Sequence, residues 1–201
     1  AAAEAVLEEE EKRQGVVLMT AHFDSLYVGL AALAEAGLTV NLMSTKLTDD
    51  AMVPPAISRH FATKAVALNR LLAPGRVTHF EDSMRFFVSA LRRGEIVVIA
   101  CDGPSTSQDR SQPVDFLGAQ RRMASGPQFL ARAGRAPLAL YTCQEGPGGH
   151  FTVEVTEPTP LEEGGLQRAY TALERHLLAH PWQWWAADLY RTYVTVEAKG
   201  A

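Results

Sequence analysis

Cysteine is scarce in this chain, and its spacing carries no metal signature. Only two of the 201 residues are cysteine, Cys101 and Cys143, each near the end of an apolar run. Neither forms a CxxC pair or a cysteine and histidine pattern that would hold zinc. We expect two reduced, buried thiols and no metal, which fits a reducing cytoplasm.

Long apolar runs and an excess of positive charge are also missing. No run approaches the roughly 18 apolar residues that a membrane-spanning helix needs. The formal net charge of −4 argues against a general nucleic-acid binder. The chain opens on AAAEAVLEEEEKRQG without a methionine, so we expect a preceding segment. We therefore expect a cytoplasmic protein and leave open a membrane anchor and a peripheral position on the inner face of the plasma membrane.

Several common catalytic motifs are absent as well. There is no G-x-G-x-x-G after a strand, no G-x-x-x-x-G-K-[ST] and no G-x-S-x-G. These absences argue against a dinucleotide-binding protein, a P-loop protein and an ordinary α/β-hydrolase. Five of the six histidines form no metal pattern: His60, His79, His150, His176 and His180.

What the chain does have is an alternation of strand-like and helix-like segments. The strand-like runs are VVLMTAH, LTVNLMS, RVTHF, EIVVIACDG, APLALYTCQ and GGHFTVEVTEP. Amphipathic stretches separate most of them, which predicts an α/β fold with a mostly parallel central sheet flanked by helices. No composition shift divides residues 1–201, so we expect a single domain. The stretch GPSTSQDRSQPVDFLGAQRRMA is predicted to be a loop of about 20 residues, either functional or disordered.

Two polar residues follow buried strands of this predicted sheet. His22 follows VVLMTA, and Asp102 follows IVVIAC. In open α/β sheets, ligands bind at the carboxyl ends of the strands. The sequence therefore places both residues where chemistry is expected.

Ordered motifs along the chain carry a resemblance to a known family. TAHFDSLY matches the start of an H-x4-D/E motif at His22 and Phe23, and LRRGEIVVIACDGPS matches at Asp102 and the glycine and glutamate before its strand. VDFLGAQRRMASGPQFLARAGRAPLALY matches at Val114, Phe116, Gly118, Gly126, Leu130, Ala131, Gly134, Ala136 and Pro137. Together with HPWQWWAADLYR, these segments resemble the lysophospholipid acyltransferase superfamily, in its lipid A (lauroyl/myristoyl) acyltransferase branch. The resemblance covers residues 15–191.

The resemblance implies an acyltransferase with a glycerolipid acyltransferase-like fold. The acyl donor would be the thioester of an acyl carrier protein or of coenzyme A, used as a co-substrate with no bound cofactor. The acceptor would be a hydroxyl or an amine on a lipid or a small metabolite. His22 would be the general base, because an alcohol hardly ionises at pH 7 and needs a base to attack a thioester.

The chain departs from the family motif at Tyr27, which stands where the family has its carboxylate. A phenol is uncharged at neutral pH, so it can orient an imidazole but cannot compensate its positive charge. Asp24 and Asp102 are equal candidates for the missing carboxylate. Asp24 could instead cap the helix that follows it, and Asp102 could be a turn residue. Tyr27 could equally pack in the core.

Further candidates for substrate binding surround the predicted loop. Arg110, Arg121 and Arg122 could meet the phosphates of a phosphopantetheine arm or an acidic carrier protein, or form a solvated charged loop. Ser125 and Gly126 open a helix whose N-terminus could host an anion, or they form an ordinary cap. The aromatic stretch PWQWW could line an acyl groove or belong to the core.

Two other functions stay open on this sequence. The missing motif carboxylate allows a non-catalytic family member that binds acyl chains or carrier proteins. A thioesterase-like hydrolase, in which water replaces the acceptor, is the other.

Overall fold

A six-stranded, mostly parallel sheet organises the chain in the computed structural model, which describes residues 14–23, 25–46, 53–103 and 111–196. The strands of this sheet, in chain order, are β1 (Val16–Thr20), β2 (Val40–Ser44), β3 (Val77–His79), β4 (Ile96–Ala100), β7 (Leu138–Glu145) and β8 (Phe151–Val155). Their spatial order is β3-β2-β4-β1-β7-β8, and only β8 runs antiparallel to its neighbour. The predicted α/β class and mostly parallel sheet are confirmed. The single-domain assignment stays a prediction.

The two central strands, β1 and β4, bring the predicted site residues together. All five residues of β1 are buried, as a continuous apolar run in a parallel sheet predicts. β1 and β4 pair in parallel, with Thr20 opposite Ala100 at their carboxyl ends. Because the strands end level with each other, His22 and Asp102, each two positions beyond the end of its strand, come to lie side by side.

Helices cover both faces of the sheet. They are α1 (Leu26–Glu35), α2 (Pro55–Leu71), α3 (Met84–Arg92), α4 (Gly126–Gly134) and α5 (Gly165–Ala179). Alternate residues of β1 point to opposite faces. Val17 and Met19 pack in one core with residues of α3, α4 and α5, while Leu18 packs in the other with residues of α1 and α2.

The predicted loop contains an antiparallel hairpin, which corrects the sequence prediction. It consists of β5 (Ser111–Phe116) and β6 (Ala119–Ala124), joined by Leu117 and Gly118. Both turn residues have positive φ, 51° and 73°, as the tight turn of a two-residue hairpin requires. Alternating burial along the two strands fixes the hairpin against the core. A leucine at the first turn position is unusual, and this hid the hairpin in the sequence.

The C-terminal segment returns across the carboxyl edge of the sheet. It contains two short 3-10 turns, Pro181–Gln183 and Ala187–Thr192. Isolated antiparallel β-bridges pair this segment with the rest of the fold at both of its ends. They join Phe23 to Trp184 and Arg121 to Thr195. The described helices include none with the length and hydropathy that a membrane crossing needs. Cys101 and Cys143 are buried thiols, as predicted.

Candidate active site

His22 and Asp102 form a hydrogen-bonded pair at the carboxyl ends of β1 and β4. The imidazole Nδ1 lies 2.8 Å from Asp102 Oδ1, and the His22 backbone N–H donates to Asp102 Oδ2 at 2.8 Å. The carboxylate is fully buried, whereas the imidazole is 33% exposed. The pair is therefore anchored on its carboxylate side and accessible on its imidazole side.

Several donors hold the Asp102 residue in place. The Trp184 indole Nε1–H donates to Oδ2 at 2.8 Å, and the Tyr193 hydroxyl donates to the Asp102 main-chain carbonyl at 2.6 Å. Burial by itself raises the pKa of Asp102. The hydrogen bonds and positive charge of His22, together with the Trp184 indole, outweigh that effect, so the pKa lies below its ordinary value. Asp102 is thus held as a carboxylate.

The carboxylate determines which nitrogen of His22 carries the proton. A carboxylate only accepts hydrogen bonds, so we infer that the proton of the neutral imidazole lies on Nδ1. Nε2 then carries the free lone pair, and it makes no hydrogen bond with any residue that the structure describes. The Trp185 ring packs edge-on against the imidazole, with centroids 4.8 Å apart. This is the geometry of an oriented general base.

A cavity of about 310 Å³ opens beside His22. It lies between the carboxyl ends of β2 and β3, helix α2 and the Trp185 ring. Tyr27 lines it, and its hydroxyl accepts a hydrogen bond of 3.0 Å from Lys64 Nζ. The volume is at the lower end of the range for small-molecule sites. Tyr27 thus lines the cavity on one side of His22. Asp102 contacts the Nδ1 side of the imidazole and does not contact Tyr27.

The two arginines of the hairpin that the structure describes lie away from this cavity. Arg121 is buried, and its guanidinium donates to the carbonyls of Phe116 and Leu117 and to the Tyr190 hydroxyl. Arg122 donates to the Ser111 hydroxyl at 3.3 Å. Neither residue lines the cavity beside His22. Their role in substrate binding stays a prediction, and the contacts of Arg121 are internal to the protein.

The remaining sequence candidates are placed as follows. Ser125 is the N-cap residue of α4 and makes no side-chain capping bond, and Gly126 begins the helix close to the Ile99 side chain. Neither lines the cavity. Asp24 and Arg110 lie outside the described residues. Within the described part of the chain, no group of three His, Cys, Asp or Glu side chains is arranged to hold a metal ion.

The sequence prediction missed the residues that support the site from a distance. Trp184 and Tyr193 contact Asp102 from 82 and 91 positions further along the chain. The sequence allows the PWQWW stretch to line an acyl groove or to belong to the core, and the structure divides it. Trp184 is buried against Asp102, whereas Trp185 is 59% exposed beside His22. Nothing in the sequence identifies Lys64 as a site residue, because it reads only as a charged residue on an amphipathic helix.

The fold and the site together define a class of protein: an α/β protein with a histidine and aspartate pair at the carboxyl edge of a parallel sheet, next to a small cavity. The model of the bacterial lipid A biosynthesis acyltransferase family matches residues 2–188, and the chain belongs to this family. The resemblance found in the sequence is therefore confirmed, and acyl transfer is the activity that the family's description names. A comparison with curated proteins finds no match.

Proposed function

We propose that this protein transfers an acyl group from a thioester, carried by an acyl carrier protein or coenzyme A, to a hydroxyl or an amine. The observation that carries the proposal is the 2.8 Å contact between His22 Nδ1 and a fully buried Asp102 carboxylate, at the edge of a cavity. A histidine oriented in this way can accept a proton on Nε2. Membership of the acyltransferase family supports the reaction class.

The proposed reaction uses one base and no covalent enzyme intermediate. The acceptor binds with its hydroxyl or amine next to His22 Nε2. As its oxygen or nitrogen attacks the thioester carbonyl, its proton passes to Nε2, and a tetrahedral intermediate forms. Asp102 stabilises the resulting imidazolium through Nδ1. The C–S bond then breaks, the thiolate takes the proton from Nε2, and the imidazole returns to its neutral form.

The proposed partners follow from this reaction. The thioester is a co-substrate and not a resident cofactor. The acceptor is a lipid or a small metabolite, and a peripheral contact with the inner face of the plasma membrane is compatible with either. Arg110, Arg121 and Arg122 remain the sequence's candidates for contacts with the phosphopantetheine arm or the carrier protein of the donor, and Ser125 and Gly126 remain its candidates for binding an anion.

The test is a turnover assay with a panel of acyl carrier protein and coenzyme A thioesters and of hydroxyl and amine acceptors. We expect His22→Ala to abolish acyl transfer while far-UV circular dichroism stays unchanged. His150→Ala is the matched control, because His150 is exposed and far from β1 in sequence. Unchanged turnover in His22→Ala would overturn the proposed mechanism.

The same assay distinguishes the two carboxylates and the two alternative functions. Asp24→Asn is expected to retain turnover if Asp102 is the partner that acts on His22. Release of free acid without any acceptor dependence would indicate a thioesterase-like hydrolase. Intact-protein mass spectrometry that shows thioester binding without consumption would indicate a non-catalytic binding protein.

A further inference from the structure

We infer that Lys64 and Tyr27 form a subsite for a carboxylate, and that the acceptor carries one carboxylate besides the hydroxyl or amine that it presents to His22. The inference rests on the proposed function, which it makes more specific. Lys64 and Tyr27 line the same cavity as His22. They are thus placed to hold one part of a molecule whose other part reacts.

The contacts of Lys64 leave its positive charge uncompensated. The ammonium donates to the Tyr27 hydroxyl at 3.0 Å and lies over the Tyr27 and Phe61 rings, 4.8 Å and 4.4 Å from their centroids. All three contacts are with neutral groups. Among the described residues, Lys64 makes no ion pair, and no Asp or Glu lines the cavity. A half-buried ammonium without a counterion gains from binding an anion, because part of its hydration has already been lost.

The number of charges favours a carboxylate over a phosphate. Apart from histidines, Lys64 is the one basic side chain among the described residues that line the cavity, and no arginine is among them. A phosphomonoester carries a charge of about −1.5 to −2 at neutral pH and is usually bound by arginines or by several donors. One ammonium with one adjoining hydroxyl matches the single charge of a carboxylate. The cavity volume of about 310 Å³ limits the size of that part of the acceptor which enters it.

The substrate's charge also complements the proposed chemistry. During transfer His22 becomes an imidazolium, and Lys64 would be a second positive charge in the same cavity. At position 27, where the sequence motif predicts a carboxylate, the chain has a neutral tyrosine. A carboxylate brought by the acceptor would balance the charge of Lys64. Tyr27 and Lys64 are therefore specificity-determining residues in this proposal.

Binding of matched acceptor probes, measured without any acyl donor, tests this subsite. The probes are β-hydroxybutyrate and β-alanine, the corresponding amides, in which a neutral carboxamide replaces the carboxylate, and glycerol phosphate. Tryptophan fluorescence is a suitable readout because Trp185 lines the cavity. We expect the wild-type protein to prefer the carboxylates, and Lys64→Met to weaken their binding about tenfold or more, the usual effect of losing a hydrogen bond to a charged group.

Three further variants separate a specific subsite from a general charge effect. Lys64→Arg should retain the carboxylate preference, and Tyr27→Phe should weaken it about threefold by removing one hydroxyl. Arg70→Met is the matched control, because Arg70 is an exposed cation on the same helix and does not line the cavity. It should leave all binding unchanged.

Several results would overturn the inference. Acids and amides binding equally well, Lys64→Met weakening both equally, or glycerol phosphate being preferred to both carboxylates would each do so. Failure of the proposed function gives a different result from failure of the subsite, because the function is measured as turnover and the subsite as binding. A protein that shows Lys64-dependent carboxylate binding but retains turnover in His22→Ala would keep the subsite and lose the proposed mechanism.

Discussion

The two sides of the His22 imidazole differ in how completely their polar groups are satisfied. On one side, Asp102 is fully buried, and both carboxylate oxygens accept hydrogen bonds within the protein. On the other side, Lys64 lies in an open cavity, and its contacts with the residues that the structure describes are all with neutral groups. Buried polar groups with all partners in place fix a geometry, whereas a charge left without a counterion is suited to an incoming molecule. His22 is thus held in place by the protein on its Asp102 side and stays accessible to a substrate on its Lys64 side.

The position of each side in the fold explains this difference. Asp102 follows a central strand, and the C-terminal segment covers it with Trp184 and Tyr193. Lys64 lies on α2, a helix that places only one residue, Leu68, fully in the core. Interior positions of a sheet exclude water, while a loosely packed helix leaves space between itself and the strand ends. This difference predicts that changes on the Asp102 side affect the turnover rate and the free energy of unfolding most strongly.

The largest effect is expected from Asp102→Asn. The new amide can donate to His22 Nδ1, which moves the imidazole proton to Nε2 and removes the base. We expect turnover to fall by about 10³–10⁴-fold, as for the equivalent change in a catalytic triad. The measurement is the kcat of acyl transfer, with the exposed Asp115→Asn as the control. Turnover within a few-fold of wild type would show that Asp102 does not orient the base.

A large effect on stability is expected from Arg121→Met. Arg121 donates to two carbonyls and to Tyr190, and its guanidinium lies over the Tyr193 ring. Removing it leaves these acceptors unpaired, so we expect the free energy of unfolding to fall by about 2–4 kcal/mol in urea titrations. Activity per folded molecule should change only a few-fold.

Arg122→Met on the same strand is the control for this change, because Arg122 is less buried and makes fewer contacts. A raised KM in Arg121→Met with unchanged stability would contradict the structural role. It would favour the substrate-binding role that the sequence predicted for Arg121.

A smaller effect, dependent on pH, is expected from Trp184→Phe. The folded-state pKa of Asp102 lies below its ordinary value, so its contribution to stability is present above that ordinary value and is lost as the pH falls through the folded-state pKa. Without the indole N–H, the folded-state pKa of Asp102 rises. We expect the protein to lose about 1–2 kcal/mol at neutral pH and to unfold at a higher pH on acid titration.

Circular dichroism as a function of pH measures this shift, and Trp182→Phe is the control because Trp182 is 71% exposed. An unchanged acid transition in Trp184→Phe would mean that the indole does not stabilise the carboxylate. The polar groups on the two sides of His22 would then differ less in how firmly they are held than the contacts indicate.

The sequence predicted the sheet and placed His22 and Asp102 at its carboxyl edge for a simple physical reason. Continuous apolar runs identify strands buried on both faces, and polar residues at their ends fall at the edge where parallel strands finish. The choice between Asp24 and Asp102 could not be made, because the sequence does not state that β1 and β4 are neighbours. Once they pair with Thr20 opposite Ala100, the proximity of His22 and Asp102 follows.

Other parts of the site depend on contacts that no local pattern encodes. The hairpin was missed because its Leu117-Gly118 turn lacks the usual asparagine or aspartate. Trp184 and Tyr193 were not recognised because their acceptor is 82 and 91 positions away. Lys64 was not recognised because the cavity it lines is formed by elements that meet only in the folded chain.

The covering of Asp102 by the C-terminal segment has a consequence for how the protein is made. Synthesis proceeds from the N-terminus, and His22 and Asp102 leave the ribosome well before Trp184 and Tyr193. An unfinished chain can pair β1 with β4 but lacks the indole and hydroxyl donors that hold Asp102. The hydrogen bonds that hold Asp102 are therefore complete only once Tyr193, 91 positions further along the chain, has been synthesised.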